Sequence, residues 1–392
     1  MKKKIISLLL ITTLILSLSS CLFINPEGLG AGTSNNGSDT TVNVQGGDTY
    51  QINISSNSNQ NLIAASKALL SSVSIFTDKS AGSGVIYKYD KNSGDAYIIT
   101  NYHVVYNESE QKISQQINAY LYGMEAEEYA IRAEYLGGSK NYDLAVLRVK
   151  ASTVLMASNA VQVDVADSNY VTVLDTAIAI GNAHGDGISA TVGCVNVDSE
   201  NITVATDGKT AVNIRVMRTD AAVNSGNSGG GLFNDKGELI GIVNAKNANS
   251  NTDNIGFAIP SNVAKAVAEN IIYNCDGQSK TMVYKYMLGI TVSIGALSTK
   301  YDTESGKIHK IESVKIISLT NDSAVEGLLM ENDIINSITV DGVTHEVTRT
   351  FHVIDTMLYD RADSNVVINV TRDGVARDVA IPIKQSMLTV NN

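Results

Sequence analysis

The chain has 392 residues, of which 44% are hydrophobic and 18% are charged, and its formal net charge is −11. This length allows two or three domains, and the hydrophobic share allows a substantial core. The acidic charge, with no basic cluster beyond the extreme N-terminus, excludes a general nucleic-acid binder. Three cysteines, Cys21, Cys194 and Cys275, are too few for a disulfide framework.

Residues 1–20 have the pattern of a secretion signal, with a lysine-rich start and an apolar stretch too short for a comfortable membrane span. Small residues stand immediately before Cys21, as in a bacterial lipobox. We therefore expect Cys21 to be lipidated and the mature protein to be tethered to the extracytoplasmic face of the cell membrane. An ordinary signal peptide with an incidental cysteine is the alternative. Residues 21–60 are rich in Asn, Ser, Gly and Thr, which predicts a flexible polar linker.

The region from residue 61 to 275 alternates short strands with turns. A helix is predicted at residues 61–70. Runs of β-branched or aromatic residues predict strands at residues 72–77, 84–89, 96–100, 117–122, 129–136, 144–149, 171–180, 189–196, 211–217, 239–244 and 255–258. Roughly a dozen short strands in about two hundred residues indicate two small β-barrels. A helix over residues 262–272 closes this region, with Ser261 as its N-cap.

The last part of the chain, residues 282–392, predicts a separate small α+β domain after a hinge at residues 276–279. Two helices are predicted in this domain, at residues 321–329 and 348–359. The apolar residues on one face of the second helix are Phe351, Ile354 and Leu358. Two histidines of the domain are expected to be solvated, His345 and His352.

A glycine-dense turn around Ser228 is the clearest chemical motif. Gly226 lies two residues before the serine, and three glycines follow the serine directly. Glycine lets another molecule approach the main chain closely. A nucleophilic serine needs such a turn, because amide N–H groups must converge on the negative charge that forms at an attacked carbonyl. Taken alone, so short a motif more often belongs to a flexible Gly/Ser loop, so the rest of the chain must decide between the two interpretations.

A nucleophilic serine also needs a base, and the base needs a carboxylate that orients it. Histidine suits the base, because imidazole titrates near neutral pH. Of the five histidines, His103 is predicted at the end of an apolar strand, which places its ring at a barrel rim. Asp143 heads an apolar run, where a partly buried carboxylate needs a partner.

These motifs resemble those of trypsin-like serine proteases of the HtrA/Deg branch. The main matches are Thr-Asn-Tyr-His-Val at 100–104, Asp-Leu-Ala-Val-Leu at 143–147 and Thr-Asp-Ala-Ala-Val-Asn-Ser-Gly-Asn-Ser-Gly-Gly at 219–230. Shorter matches are Gly-Ser-Gly-Val-Ile at 82–86, Ala-Ile-Gly-Asn at 179–182 and Gly-Phe-Ala-Ile-Pro-Ser at 256–261. The resemblance covers residues 61–275 in the expected order. It implies a mainly β fold, a chymotrypsin-like double β-barrel followed by the small α+β domain.

The resemblance also implies the chemical role of each residue. His103 would be the general base, Asp143 its orienter and Ser228 the nucleophile of an acyl-enzyme mechanism. The backbone N–H groups of Gly226 and Ser228 would form the oxyanion hole. Ala222 would lie at the base of the primary specificity pocket and favour small or medium aliphatic residues before the scissile bond. No cofactor is expected, and no zinc-ligand spacing occurs.

Several residues depart from related patterns. Asn227 replaces the aspartate of digestive trypsin-like enzymes, so activation by cleavage of a new N-terminus is not expected. Ser225 and Gly231 replace prolines common in the family, which predicts a looser turn. His184 falls where the family commonly has Pro-Phe-Gly; it either contacts substrate or gates the site, or it is a loop histidine without such a role. Cys194, in an apolar strand, is interpreted as a small buried hydrophobic residue.

Residues 282–392 resemble a PDZ domain of the type that follows HtrA proteases, through Tyr-Met-Leu-Gly-Ile at 286–290. The resemblance implies that a peptide C-terminus adds to the domain as a strand. Backbone amides near Leu288, Gly289 and Ile290 would capture the peptide carboxylate. A small α+β packing domain that binds nothing is the alternative.

For the whole chain, the resemblance implies a lipid-anchored, extracytoplasmic serine endopeptidase that cleaves unfolded or damaged proteins. Such proteases act in protein quality control and are commonly homotrimers, and no nucleic-acid partner is expected. The alternative is a catalytically weak peptide-binding or chaperone-like surface protein that keeps the protease fold as a scaffold. The active protease is preferred, because all three residue types of the triad stand in the right contexts.

Overall fold

The computed structural model describes residues 60–244, 255–275 and 282–391, apart from residues 321, 322, 324, 362, 385 and 386. The predictions of a signal peptide, a lipidated Cys21, a polar linker and a hinge lie outside the described residues. None of the helices in the described ranges is long and apolar enough to cross a membrane.

Six antiparallel strands form a first closed barrel, in the order β1-β2-β3-β8-β7-β6. The elements of this half are α1 Gln60–Leu69, β1 Ser72–Thr77, β2 Ala81–Asp90, β3 Asp95–Thr100, α2 Tyr102–Val105, β4 Tyr106–Asn107, β5 Lys112–Ile113, β6 Ile117–Leu121, β7 Ile131–Ser139 and β8 Leu144–Val149. Alternate side chains point inward, as in any small barrel. The interior is therefore filled by branched apolar side chains such as Ile75, Ile86, Ile98 and Leu147.

A second closed barrel follows, in the order β10-β11-β14-β13-β12-β9. Its elements, with the flanking helices, are α3 Thr153–Ala157, β9 Thr176–Gly181, β10 Ser189–Ala205, β11 Ala211–Thr219, β12 Gly231–Phe233, β13 Leu239–Asn244, β14 Gly256–Pro260 and α4 Ser261–Tyr273. The predicted mainly β, double-barrel fold is thereby confirmed. One hydrophobic cluster joins both barrels and α4, through Ile99, Val146, Ile180, Phe233 and Val267.

Two local predictions in this half are wrong. The predicted strand 171–180 begins only at Thr176, because the Asp175 carboxylate accepts hydrogen bonds from the backbone N–H (2.9 Å) and hydroxyl (3.3 Å) of Thr172 and holds a turn there. Ser261 does not cap α4. It is the first helical residue, and its hydroxyl donates to the carbonyl of Ala166 at 2.7 Å.

The C-terminal part contains a six-stranded sheet in the order β16-β17-β18-β20-β21, with β19 paired to β18, and a separate pair of β15 with β22. Its elements are β15 Val283–Tyr286, β16 Ile290–Tyr301, β17 Ile308–Leu319, β18 Ile334–Val340, β19 Val343–Glu346, α5 Thr350–Thr356, β20 Val366–Arg372, β21 Val375–Ile381 and β22 Leu388–Asn391. The helix predicted at 321–329 is wrong over its described residues, which form turns. Gly327 has a φ of 76°, a left-handed conformation that stops a helix.

The face predicted for the second helix is wrong in part, because Leu358 is buried as expected but lies beyond the end of α5. The helix is shorter than predicted, and its buried residues are His352, Val353 and Thr356. Ile354, which was expected to be buried, is 51% exposed. The buried positions 353 and 356 still have helical spacing, so the sequence pattern was compatible with more than one face.

His352 is buried, and the prediction that it is solvated is wrong. Its burial, together with the positive charges of Arg215 and Arg349, lowers the pKa of His352 to about 4, so the ring is neutral at neutral pH. His345 is half-buried, and its ring stacks on Tyr359 with ring centroids 5.3 Å apart.

Polar contacts hold the C-terminal sheet against α4 and the second barrel. The side-chain amide of Asn270 donates to the carbonyls of Tyr284 (2.7 Å) and Leu358 (3.1 Å). Arg349 pairs with Asp198 at 2.7 Å. The described residues belong to one compact unit.

Candidate active site

His103 lies in α2, a single helical turn between β3 and β4, and not at the end of a strand as predicted. The strand ends at Thr100, and the chain turns at Asn101. The side-chain amide of Asn101 donates to the carbonyl of Asp143 at 2.8 Å. This contact fastens the start of α2 to the start of β8, so the two predicted residues His103 and Asp143 lie side by side.

Asp143 is fully buried and has a φ of 50°, an unusual left-handed conformation for an aspartate. Its carboxylate accepts hydrogen bonds from the backbone N–H of His103 (3.0 Å), from His103 Nδ1 (2.7 Å) and from Asn244 Nδ2 (2.8 Å). A carboxylate only accepts hydrogen bonds, so the imidazole carries its proton on Nδ1. His103 Nε2 is then the nitrogen suited to accept a proton from a nucleophile.

Ser228 lies in a tightly packed turn, which contradicts a flexible Gly/Ser loop. The serine is 6% exposed. Gly226 has a φ of 97°, and a Cβ there would lie 2.1 Å from the carbonyl oxygen of Asn182. A Cβ at Gly229 would lie 2.3 Å from Thr100 Oγ1. Glycine is therefore required at both positions, and the turn packs directly against the segment that leads to His103.

Ser83 of β2 connects the first barrel to this turn. Its hydroxyl donates to the carbonyl of Gly226 at 2.7 Å and accepts from the N–H of Asn182 at 2.8 Å. Its backbone N–H donates to the carbonyl of Ser228 at 2.8 Å. One buried serine therefore fixes the carbonyl groups of both residues predicted to form the oxyanion hole.

A short loop after β9 supports the turn from the other side. His184, with a φ of 58°, donates its backbone N–H to the carbonyl of Ser225 at 2.7 Å. Asn182 Oδ1 accepts from the N–H of Gly187 at 2.8 Å and closes the loop. Gly231 is the first residue of β12, where a Cβ would lie 2.3 Å from the ring of Phe233.

The segment before the turn lies along the beginning of β10. Ala222 is exposed, and its carbonyl accepts from Thr191 Oγ1 at 2.8 Å. Cys194 was predicted to be buried, but it is only partly buried, and its backbone N–H donates to Asp220 Oδ1 at 2.7 Å. Desolvation and the neighbouring Asp220 raise the pKa of the Cys194 thiol.

The residues predicted to capture a peptide carboxylate lie at the start of β16. Leu288 is buried, Gly289 has a φ of 69°, and Ile290 is the first residue of the strand. The carbonyl of Leu288 accepts from Ser323 Oγ at 2.8 Å, and the carbonyl of Gly289 accepts from the N–H of Thr320 at 2.8 Å. β16 is an edge strand of its sheet.

Asn244 and Ser83 were not identified from the sequence. Each is a polar residue within a buried strand, and such a residue needs a partner inside the protein. That rule could have selected both residues, but it does not name the partner. Among the described residues, no group of three or more His, Cys, Asp or Glu side chains is arranged to hold a metal ion.

Comparison with known proteins agrees with this geometry. Residues 82–242 match the trypsin-like peptidase domain family. Serine protease Do-like HtrA of Lactococcus lactis subsp. lactis (strain IL1403) is 30% identical over 319 residues, which cover 78% of this chain and 71% of that protein. Serine protease Do-like HtrA of Bacillus subtilis (strain 168) is 36% identical over 244 residues, which cover 61% of this chain. The chain spans only 48% of the length of the Bacillus protein.

Solved structures are similar over a larger share of the chain. A variant of the HtrA-type protease AlgW with a tripeptide is 26% identical, with a TM-score of 0.50, over 85% of this chain and 97% of that one. A second structure, HtrA-type protease AlgW with tripeptide, has a TM-score of 0.52 at 24% identity and supports the fold. It covers 85% of this chain and 97% of its own.

Proposed function

Because the chain belongs to the HtrA family of serine proteases, we propose that it is an active serine endopeptidase with Ser228 as nucleophile. The observation that carries this proposal is the 2.7 Å hydrogen bond between His103 Nδ1 and the buried carboxylate of Asp143. An imidazole held in this way is the general base that a serine nucleophile requires.

In the proposed mechanism, His103 Nε2 takes the hydroxyl proton as Ser228 Oγ attacks the carbonyl carbon of the scissile bond. The N–H groups of Gly226 and Ser228 stabilise the oxyanion, and each such donor typically lowers the barrier by about 3–4 kcal/mol. The C–N bond then breaks, and His103 gives its proton to the leaving nitrogen. Water, activated by the same imidazole, hydrolyses the acyl-enzyme.

The finer features of the proposal come from the sequence and the family. We propose unfolded or damaged proteins as substrates, a homotrimeric assembly, and a lipid anchor at Cys21 on the extracytoplasmic face of the membrane. Ala222 carries no charge, which supports a preference for small or medium aliphatic residues before the scissile bond. The C-terminal sheet would bind a peptide C-terminus along the edge of β16, next to Leu288, Gly289 and Ile290. The left-handed Gly289 and the edge position of β16 support this last proposal.

A fluorophosphonate probe tests the proposed nucleophile. The probe reacts with a serine only when a neighbouring base activates the hydroxyl and an oxyanion site accepts the phosphonyl oxygen. We expect one covalent adduct per chain, located at Ser228 by peptide mapping. Ser225, three residues earlier on the same turn, is the internal control and should remain unmodified. The urea-unfolded protein should not react. The proposal is contradicted if folded protein incubated with peptide substrate shows no adduct, and the scaffold alternative would then hold.

Replacing Ser83 with alanine is expected to lower kcat about 10- to 100-fold with KM changed less than about threefold. The variant leaves the Gly226 carbonyl and the Asn182 N–H without their buried partner, so the turn no longer holds the oxyanion donors in place. Steady-state kinetics on a peptide substrate measures this effect. Ser72→Ala is the matched control, because its buried hydroxyl donates to Ala68 at 2.9 Å, outside the site. Equal losses in the two variants would show that Ser83 has no special role.

A further inference from the structure

A cavity of about 870 Å³ opens beside the Ser228 turn. Three aromatic residues line it, two of them in strands of the first barrel and one just after β6, and two exposed acidic residues also line it. The residues that matter for its chemistry are Phe76, Tyr120, Tyr122, Glu125, His184 and Asp186. Ligand-binding pockets in proteins typically have volumes of roughly 300–1,000 Å³.

The cavity adjoins the proposed oxyanion hole. The same loop that lines it donates the His184 N–H to the carbonyl of Ser225, next to Gly226. A Cβ at Gly226 would lie 2.9 Å from the backbone nitrogen of His184. The loop that lines the cavity therefore lies directly beside the turn that would hold the scissile carbonyl.

The leaving half of the substrate faces the first barrel. His103 must give its proton to the leaving nitrogen, and α2 follows directly from β3 of that barrel. Phe76 in β1 and Tyr120 in β6 belong to the same barrel. The pocket proposed for the acyl half lies instead at Ala222, in the second barrel. The cavity is thus placed to receive residues that follow the scissile bond.

The lining suits a positive charge. Phe76 and Tyr120 form an edge-to-face pair with ring centroids 5.7 Å apart, and Tyr122 is 56% exposed. Faces of aromatic rings attract Lys and Arg side chains. No lysine or arginine is among the described residues that line the cavity. An acidic rim without basic neighbours attracts cations and repels anions.

The two carboxylates lie on facing segments. The N–H of Gly123 donates to Glu125 Oε1 at 3.1 Å, which orients this side chain. A Cβ at Gly187 would lie 3.9 Å from the same Glu125 oxygen. Glu125 therefore reaches toward the loop that carries Asp186, and the rim bears negative charge on both sides.

We propose that this cavity is a specificity subsite that binds a lysine or arginine side chain within the first three residues after the scissile bond. The proposal rests on the proposed protease function. The aromatic wall holds the aliphatic stem and the charged head, and Glu125 and Asp186 supply the counter-charge.

The test uses peptides that share one acyl half and carry Arg, Gln or Glu at each of the three following positions. We expect kcat/KM to be about 5- to 20-fold higher for Arg than for Gln at one position, and lower for Glu than for Gln. The double variant Glu125→Gln, Asp186→Asn should reduce the ratio of kcat/KM for the Arg peptide to that for the Gln peptide to about twofold or less. Glu127→Gln, an exposed acid outside the cavity, is the matched control and should keep the preference.

A small ester with the same acyl half and no residues after the bond separates the two proposals. If neither the ester nor a fluorophosphonate reacts, the protease function itself is wrong. If the ester is hydrolysed but Arg, Gln and Glu peptides are cleaved equally, only the subsite is wrong. Glu125→Lys adds a gain-of-function measurement, since it should shift the preference from Arg toward Glu. An ester-active Glu125→Lys variant that keeps the Arg preference would overturn the assignment of this residue.

Discussion

Replacing Asp143 with asparagine is expected to lower kcat about 10⁴-fold while the protein stays folded. The carboxylate accepts hydrogen bonds from His103 Nδ1 and from Asn244 Nδ2 through the same oxygen, Oδ2. The single oxygen of an asparagine amide accepts both of these hydrogen bonds only if its NH2 group takes the place of the other carboxylate oxygen. That NH2 group then faces the backbone N–H of His103, which donates to the other oxygen in the original protein, so two donors oppose each other. The imidazole then loses its favoured tautomer, and Nε2 no longer serves as a base. Single-turnover kinetics with a peptide substrate would measure this loss.

The control for this variant is Asp164→Asn. Asp164 is an exposed carboxylate that pairs with Lys67 at 2.7 Å, and its loss should leave kcat unchanged. Near-ultraviolet circular dichroism of both variants should match the original protein. A decrease in kcat of less than tenfold for Asp143→Asn would contradict the proposed role of Asp143.

Replacing Arg215 with methionine is expected to lower the free energy of unfolding by about 3–5 kcal/mol. Arg215 of β11 forms an ion pair with Asp355 of α5, and their side chains are only 13% and 16% exposed. The guanidinium also lies over the ring of Phe351, 4.0 Å from its centroid. Its removal would leave a carboxylate largely desolvated and without its nearest cation. Urea unfolding, followed by fluorescence, would measure the change.

Arg218→Met, three residues further along β11, is the matched control. Arg218 pairs with Glu200 at 2.7 Å, but the two side chains are 35% and 26% exposed, so this loss should cost at most about 1 kcal/mol. Equal losses of unfolding free energy in the two variants would show that the ion pair of Arg215 with Asp355 stabilises the protein no more than the more exposed pair of Arg218 with Glu200.

The effect of Arg215→Met should depend on pH. Burial raises the pKa of Asp355, and Arg215 opposes this rise. Without Arg215 the folded-state pKa lies further above the unfolded value. The free-energy cost of keeping Asp355 buried in the folded variant is absent below its unfolded-state pKa of about 4, where Asp355 is protonated in both the folded and the unfolded protein. This cost grows as pH rises toward the folded-state pKa of Asp355. The difference in unfolding free energy between the variant and the original protein should therefore shrink as pH falls toward about 4.

Local pattern was sufficient for most of the strands. The residues of β1, β3, β8 and β13 alternate or run as apolar segments between turn formers, and each prediction matched an observed strand closely. β12 was missed because three residues are too few to show a period. The helix predicted at 321–329 failed because Gly327 adopts a left-handed conformation, which composition alone does not reveal.

The double barrel and the three residue types that serine chemistry requires could be predicted from the chain, because they depend on short-range periodicity and on side-chain chemistry at named positions. The groups that surround these three residues could not be predicted in this way, because they come from distant parts of the chain. Asn244 lies 101 positions from Asp143 along the chain, and Ser83 lies 143 positions from Gly226. The packing of the two barrels against each other brings such residues into hydrogen-bonding contact. Tertiary packing likewise buries His352 in α5 and places Cys194 beside Asp220, since burial depends on which elements pack together and not on the neighbours of a residue in the chain.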